Sequence, residues 1–428
     1  MLEEMADFVN ISLRALWREG EFSIYGPVRT GAEYPHGDRT KPISITVAGR
    51  SPGRTSACDA LASGFSVNRL VCDLVHLITG GAGFIGSALA RMLVGSGETV
   101  VVLDKLTYAA DLRRLDPIRD SGRLLFEKAD ICDGEAVTRI LARYAPSVIL
   151  HLAAESHVDH SINRPGTFVH SNVVGTYQLL HRTLEYWLGL GEPACKRFRF
   201  VHVSTDEVYG ALGATGVFSE KSPFAPNSPY AASKAAADHL ARAWHRTYEL
   251  PVIVTSCSNN YGPYQFPEKL VPTVISAALG DRPIPVYGRG ENIRDWIHVD
   301  DHARALLAVS QRGRPGERYN IGAASERRNL DFVREICAVL DREAPRQDDR
   351  SYADQITFVA DRRGHDFRYA LDTSKIAAEL NWSPREQLPH ALSQTVIWYL
   401  HNREWLLTRR ERDALHGERS PPTDTAIE

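Results

Sequence analysis

The sequence predicts a doubly wound α/β fold, a parallel sheet covered on both faces, with a smaller C-terminal α/β domain for substrate. Three observations predict it. Apolar runs of strand length alternate with helical segments. The first of them, Leu74 to Thr79, enters the glycine cluster Gly80-Gly81-Ala82-Gly83-Phe84-Ile85-Gly86. The second, Thr99 to Leu103, ends in Asp104. Together these are the marks of a Rossmann-type dinucleotide site.

Each element follows in order. The glycines satisfy both the GxGxxG and the GxxGxxG spacings, and the helical pattern Ser87 to Val94 comes next. Backbone without Cβ atoms can approach a pyrophosphate, and unpaired N–H groups at a helix start can bind it. Asp104 falls about 20 residues beyond, where a carboxylate accepts ribose hydroxyls and repels a 2′-phosphate, so NAD is expected rather than NADP. Leu124 to Phe126 is a third strand leading to Asp130-Ile131, an expected adenine contact. Val148 to Ala154 is a fourth, buried strand, whose Ala153 and Ala154 let a cofactor lie close. Phe168 to Trp187 reads as a long amphipathic helix and Phe198 to Ser204 as a fifth strand.

That fifth strand delivers Thr205-Asp206-Glu207 to the carboxyl edge of the sheet, where open α/β folds place their ligands. Of two adjacent acids, one can stay protonated and donate while the other accepts. A solvated turn is the plainer explanation of most Asp-Glu pairs. Gly210 to Pro229, rich in Gly, Ser and Pro, is long enough for a lid or a substrate-lining segment. Tyr230-Ala231-Ala232-Ser233-Lys234 then opens a helix running to about Tyr248. Tyr and Lys four apart share one helix face, so the ammonium is expected to lower the phenol's pKa towards that of a usable base. An ordinary surface helix is the alternative, disfavoured by the glycine-rich unit upstream.

Bulk properties exclude other classes. The 428 residues carry a formal net charge of -3, which argues against a nucleic-acid or polyanion surface. No apolar run approaches the ~20 residues of a membrane span, and the start has no signal pattern. Cys58, Cys72, Cys132, Cys195, Cys257 and Cys337 are scattered, so reduced thiols in a cytoplasmic protein are expected, with no disulfide framework and no metal site. Residues 1 to 72 carry no chemistry-bearing motif. Leu13 to Trp17 is expected to form a short helix and the remainder to be loosely packed; alternatively the biological start lies near Val71. The polar tail Ser420 to Glu428 is expected to be disordered.

The glycine cluster, the hydroxyl at Thr205 and Tyr230-x-x-x-Lys234 resemble the extended short-chain dehydrogenase/reductases that act on nucleotide sugars. The match is closest to the dTDP-glucose 4,6-dehydratase branch. It runs from about Leu74 to about Tyr399 and includes Asp104-Lys105-Leu106-Thr107-Tyr108-Ala109, His151 to Asp159, Ser204 to Gly210, and Asn259-Asn260-Tyr261-Gly262-Pro263. The resemblance implies a lyase that converts dTDP-glucose to its 4-keto-6-deoxy product with NAD. That product feeds deoxysugar biosynthesis, rhamnose among its ends. It implies Thr205, Asp206, Glu207, Tyr230 and Lys234 as the catalytic group, with Asp206 the acid and Glu207 the base.

For the cofactor the resemblance implies Gly80, Gly83, Phe84, Ile85, Gly86, Asp104, Lys105, Thr107, Asp130, Ile131, Leu152, Ala153, Ala154, Ser156, Ser171 and Asn260, besides Tyr230 and Lys234. For the sugar nucleotide it implies Ser156 and the three strand-end residues with Asn259, Lys269, Leu270, Pro285, Tyr287, Arg294, Asn329, Asp361, Arg362 and His365. Arg294 is expected to clamp a pyrophosphate and Tyr287 to pack against a base. Arg363 stands where the family usually has proline, and Ser171 where many relatives have threonine. The expected division is 1–72 outside the fold, 73–257 with 291–322 for the cofactor, 258–290 with 323–405 for the sugar nucleotide, and 406–428 as tail. The family pairs through the two helices expected at Phe168–Trp187 and Tyr230–Tyr248, so a homodimer is implied. A 4-epimerase or decarboxylase on the same scaffold is the alternative, but those relatives usually lack the adjacent acids. An idle NAD-binding regulator would be expected to have lost Tyr230, Lys234 or the acid pair.

Overall fold

The computed structural model describes residues 14–18, 21–25 and 74–407. The chain divides into two units, Met1–Cys72 and Asp73–Glu428. In the first, β1 (Arg14–Arg18) pairs antiparallel with β2 (Glu21–Tyr25), Arg18 opposite Glu21. The short helix expected at Leu13–Trp17 is therefore replaced by a strand. Phe22, Ile24 and Tyr25 are strong strand formers, and they give the first segment a partner that a local helical reading ignores. The expectations for the remainder of 1–72 and for Ser420–Glu428 lie outside the described residues.

The second unit is built on seven parallel strands. These are β3 (Val75–Thr79), β4 (Thr99–Asp104), β5 (Leu124–Lys128), β6 (Val148–His151), β7 (Arg199–Thr205), β8 (Val252–Cys257) and β12 (Arg318–Ile321), in the order β12-β8-β7-β6-β3-β4-β5. All five expected strands are present, and β8 and β12 extend the sheet beyond them. The order reverses direction between β3 and β6, the switch point at which such sheets bind ligands. β6 ends at His151 rather than Ala154. Leu152 N–H still bonds to Thr79 O (3.1 Å), but β3 turns there into the glycine loop and the ladder loses its partner.

The inner strands of the sheet are buried because they are apolar on both faces. One core packs Leu89, Leu93, Val102, Leu150 and Val201 with Leu306 and Ile321; the other packs Leu77, Val101, Ile149, Phe200 and Val254 with Leu179 and Leu180. Helices α1 (Phe84–Gly95), α2 (Gly134–Tyr144), α3 (Gly175–Leu188), α4 (Pro229–Tyr248) and α6 (Val299–Arg312) accompany it. The expected helix at Phe168–Trp187 is helical throughout, but Val169–Val174 forms a π-turn ahead of α3. Such turns collect at functional sites.

A separate core unites α5 (Leu270–Leu279), α7 (Asn329–Glu343) and α8 (Leu388–His401) around Phe332, Ile336, Leu392 and Tyr399. Beside it lie β10 (Ile284–Tyr287), paired with β14 (Ile356–Val359), and a three-stranded sheet of β9 (Asn259–Tyr261), β11 (Ile293–His298) and β13 (Glu326–Arg328). Ile376, Leu380 and Trp382 pack into the main-sheet core instead. The segment 210–229 is strapped down: Leu212 N–H bonds to Arg368 O (2.9 Å) and Phe218 N–H to Ala370 O (2.8 Å). It lines the fold more than it covers it.

Candidate active site

A cleft of about 330 Å³ opens at the carboxyl edge of the sheet. Its floor is the glycine loop. Gly80 has φ +72°, and a Cβ there would stand 2.7 Å from Ala153 N; at Gly86 it would stand 2.4 Å from Gly80 O. Only glycine leaves this backbone open to a ligand. Asp104 closes one end, accepting from Ala82 N–H (3.0 Å) and Leu106 N–H (2.8 Å). Lys105 donates to Ser171 Oγ at 2.9 Å and lies 3.5 Å from Asp130. This brings strand β4, strand β5's exit and the π-turn to one point.

Every cofactor residue expected from the sequence lines this cleft, as do Thr205, Asp206, Glu207, Tyr230, Lys234, Asn259 and Lys269. The polar groups have spare capacity. Ser204 Oγ, Asp206 Oδ2, Asn259 Oδ1 and Gln265 Oε1 are buried without a partner. Buried polar atoms are normally paired, so a polar ligand fits here. The glycine cradle and a carboxylate in place of a basic 2′-phosphate pocket fit NAD.

The catalytic group is assembled from β7 and α4. Ser228 caps α4 by accepting from Ala231 N–H (3.0 Å), and Pro229 occupies the first turn, which fixes Tyr230 at the helix start. Lys234, one turn on, donates its Nζ to Val203 O at 2.8 Å, and burial pushes its pKa down. Thr205 Oγ1 donates to Asp206 Oδ1 (3.2 Å) and also hydrogen-bonds the Tyr230 phenol. Burial, then the charge of Glu207, drives Asp206 well above the carboxylate range. Burial also raises Glu207, but Arg294 and Lys269 pull it back. The two acids are thus held apart in protonation, with Asp206 the more strongly neutral.

Tyr230 departs from expectation. Burial, then the Glu207 carboxylate and Cys257, raise its pKa well above the ordinary phenol value, and only the Thr205 bond opposes them. The expected lowering by Lys234 is not realised, because burial costs the phenolate more than its neighbours return.

Several substrate residues expected from the resemblance stand outside the cleft wall. Arg294, expected as a clamp, gives three N–H groups to the carbonyls of Ile293 (2.8 Å), Asp366 (2.9 Å) and Phe367 (3.3 Å) and stacks over Tyr369 at 4.3 Å. As placed it acts as a buried positive charge beside Glu207. Arg362 is held by Asp159 through Nε (2.6 Å) and Nη2 (2.9 Å) and covers the Tyr287 ring at 5.0 Å. His365 Nδ1 bonds Asp361 at 2.7 Å, and Tyr287, 40% exposed, lies edge-on to His365. These form a rim cluster. Pro285 is exposed on β10 and Leu270 packs against the α5–α7–α8 core. Asn329 starts α7 with its Oδ1 buried and unpartnered. Arg363 is exposed, next to Gly364 at φ +65°.

Glu155 lies at the carboxyl edge where its place after the fourth strand puts it, and Asp159, Gln265, Phe266 and Glu268 belong to the site or its rim without being among the residues expected there. Asp159 and Glu155 sit inside the segment His151–Asp159, so a carboxylate at a strand exit was the available signal. Gln265 and Phe266 carried none.

A family model described as GDP-mannose 4,6 dehydratase matches residues 77–395. The dTDP-glucose 4,6-dehydratase of Salmonella typhimurium is 54% identical over 340 residues, covering 77% of this chain and 94% of that protein. The crystal structure of DesIV, a dTDP-glucose 4,6-dehydratase of Streptomyces venezuelae with NAD bound, superposes with a TM-score of 0.70 at 43% identity, covering 78% of this chain and 98% of that one. A UDP-glucose 4-epimerase of Thermotoga maritima follows at 0.68 and 27% identity, covering 77% and 99%. The chain belongs to the GDP-mannose 4,6 dehydratase family, among its dTDP-glucose 4,6-dehydratases.

Proposed function

We propose that this chain converts dTDP-glucose to dTDP-4-keto-6-deoxyglucose and water. The observation that carries the reading is the pair Asp206–Glu207 at the end of β7, one acid held neutral by burial and the other facing Arg294 and Lys269. Bound NAD supplies the acceptor and later the source of hydride, so the reaction is redox-neutral overall. Tyr230, beside Thr205, takes the C4 hydroxyl proton in its phenolate form, which the positive charge of a bound nicotinamide would favour against burial. Lys234, anchored on the Val203 carbonyl, keeps a positive charge below the phenol. Once C4 is a ketone the C5 proton is acidic, and Glu207 removes it. Asp206, still protonated, donates to the departing C6 hydroxyl, so the elimination loses one water; the hydride taken from C4 ends at C6 and Glu207 returns its proton to C5, which completes the 6-deoxy product. An epimerase needs the oxidation but no such acid–base pair.

The rim cluster of Asp159, Tyr287, Arg362 and His365 is the place assigned to the nucleotide end of the substrate. Residues 73–257 with 291–322 are assigned to the cofactor and 258–290 with 323–405 to the sugar nucleotide, with 374–382 returning to the first. The working form is a homodimer. Val174 and Tyr177, 38% and 39% exposed, and Tyr248, 47% exposed, lie on adjoining helices, with Tyr177 edge-on to Trp244. A second copy would cover them. No helix among the described residues is long and apolar enough to cross a membrane. The cytoplasm is the compartment assigned, where the free thiols Cys257 and Cys337 stay reduced. The product suits deoxysugar synthesis, rhamnose included.

Incubation with dTDP-glucose and mass spectrometry tests the activity. A product lighter by one water supports it; an unchanged mass with inverted C4 overturns it.

A further inference from the structure

At the rim of the cleft, His157, His160 and Glu268 bring their ligating atoms within 4.8 Å of one another. His157 caps the short helix Val158–Asn163: its Nδ1 accepts from His160 N–H at 3.3 Å. The other ring nitrogen, Nε2, therefore faces outward, 3.7 Å from Glu268 Oε2. The His160 ring stacks on the His157 ring with centroids 4.2 Å apart. Tyr108 donates to Glu268 Oε1 at 3.0 Å, leaving Oε2 directed at the histidines, and its ring packs 5.3 Å from His160.

Two imidazoles and a carboxylate are the donor set of zinc sites that keep a position open. A carboxylate oriented by a phenol is the kind of outer support such sites use. We propose that His157, His160 and Glu268 form a binding site for one divalent transition-metal ion of the zinc class. Closing the three atoms onto an ion requires the stacked His157 and His160 rings to rotate until both planes contain the ion, besides shifts of about an ångström, since Zn–N and Zn–O distances are roughly 2.0–2.2 Å. Imidazole and carboxylate favour zinc, nickel or copper(II) over magnesium or calcium. Glu268 lines the cleft, so the open position is turned towards incoming ligand oxygens. The inference is independent of the dehydratase reading.

The test uses the untagged, full-length, NAD-loaded protein, stripped with chelator and titrated with Zn²⁺ in a calorimeter. One tight equivalent per chain is expected, together with the visible absorption of a four- or five-coordinate ion when Co²⁺ is used. Tyr108→Phe should weaken binding by about 10–100-fold, the usual effect of losing an outer partner. His160→Ala and Glu268→Gln should weaken it more, with the circular dichroism spectrum unchanged. Absence of a stoichiometric site overturns the proposal. So does binding that survives His160→Ala at wild-type affinity, because the ion would then be held elsewhere.

Discussion

Thr205 Oγ1 donates to Asp206 Oδ1 at 3.2 Å, while the other oxygen of Asp206 is buried with no partner at all. A carboxylate so placed would leave a buried charge with one neutral donor beside the Glu207 carboxylate, which is why burial and then Glu207 raise its pKa well above the ordinary value. The folded state therefore holds a proton that the unfolded chain releases near pH 4. Stability falls as pH rises from that point up to the folded pKa. Asp206→Asn, neutral at every pH, should escape the loss. The variant should be more stable than wild type at pH 7, with the difference vanishing near pH 4. Its dehydration rate should drop by roughly 10²–10⁴-fold for want of the acid. Paired melting curves and product assays at both pH values check this, and equal melting at pH 7 would contradict it.

Glu207 is held below its neighbour by Arg294 and Lys269. Glu207→Gln keeps the shape and removes the base. It should slow exchange of solvent deuterium into C5 by roughly 10²–10⁴-fold while absorbance at 340 nm still reports oxidation of the substrate. Exchange at the wild-type rate would remove Glu207 from the role.

The Thr205 bond alone opposes burial and charge at Tyr230. In Thr205→Val the phenol should be harder still to ionise. Activity that needs the phenolate rises with pH through its pKa, so the acid limb of log kcat/KM should move to higher pH. Loss at neutral pH should be about tenfold for each unit of that movement. A profile lowered uniformly without displacement would mean that Thr205 only positions substrate.

Much of this was legible in the chain. The five strands from Leu74 to Ser204 are continuous apolar runs, and the glycine loop needs no long-range knowledge to be read. β12 was not legible: Arg318 and Asn320 make it look polar, and only tertiary partners explain them. Arg318 meets Asp238, 80 residues away, and Asn320 accepts from Tyr209, 111 residues away. The π-turn at Val169–Val174 leaves no mark in an apolar pattern that is helical throughout. The direction of the Tyr230 shift is set first by burial, which only the tertiary fold creates, and then by Glu207 just past the end of β7. Arg294 had a suitable charge and a family position, but the carbonyls of 366 and 367, which occupy its N–H groups, come from a loop over 70 residues on.

Below Lys234 lies a second charged group that the chemistry does not use directly. Asp238, one turn along α4, is fully buried and accepts from His202 Nε2 at 3.0 Å and from Arg318 Nη1 at 2.9 Å. Although burial opposes its charge, Arg318 and His202 together depress its pKa to about 2. A carboxyl whose folded pKa lies below its unfolded value near 3.8 contributes stability that is complete above pH 4 and disappears as pH falls through 2. The shift corresponds to about 2 kcal/mol. Asp238→Asn should accordingly forfeit that acid-range pH dependence. It should also lose roughly 3–5 kcal/mol at pH 7, because Arg318 would be left buried without its counter-charge. Denaturant unfolding at pH 7 and at pH 3 checks both statements. If the variant and the wild type differ by the same amount at the two pH values, the carboxylate is not the group that titrates.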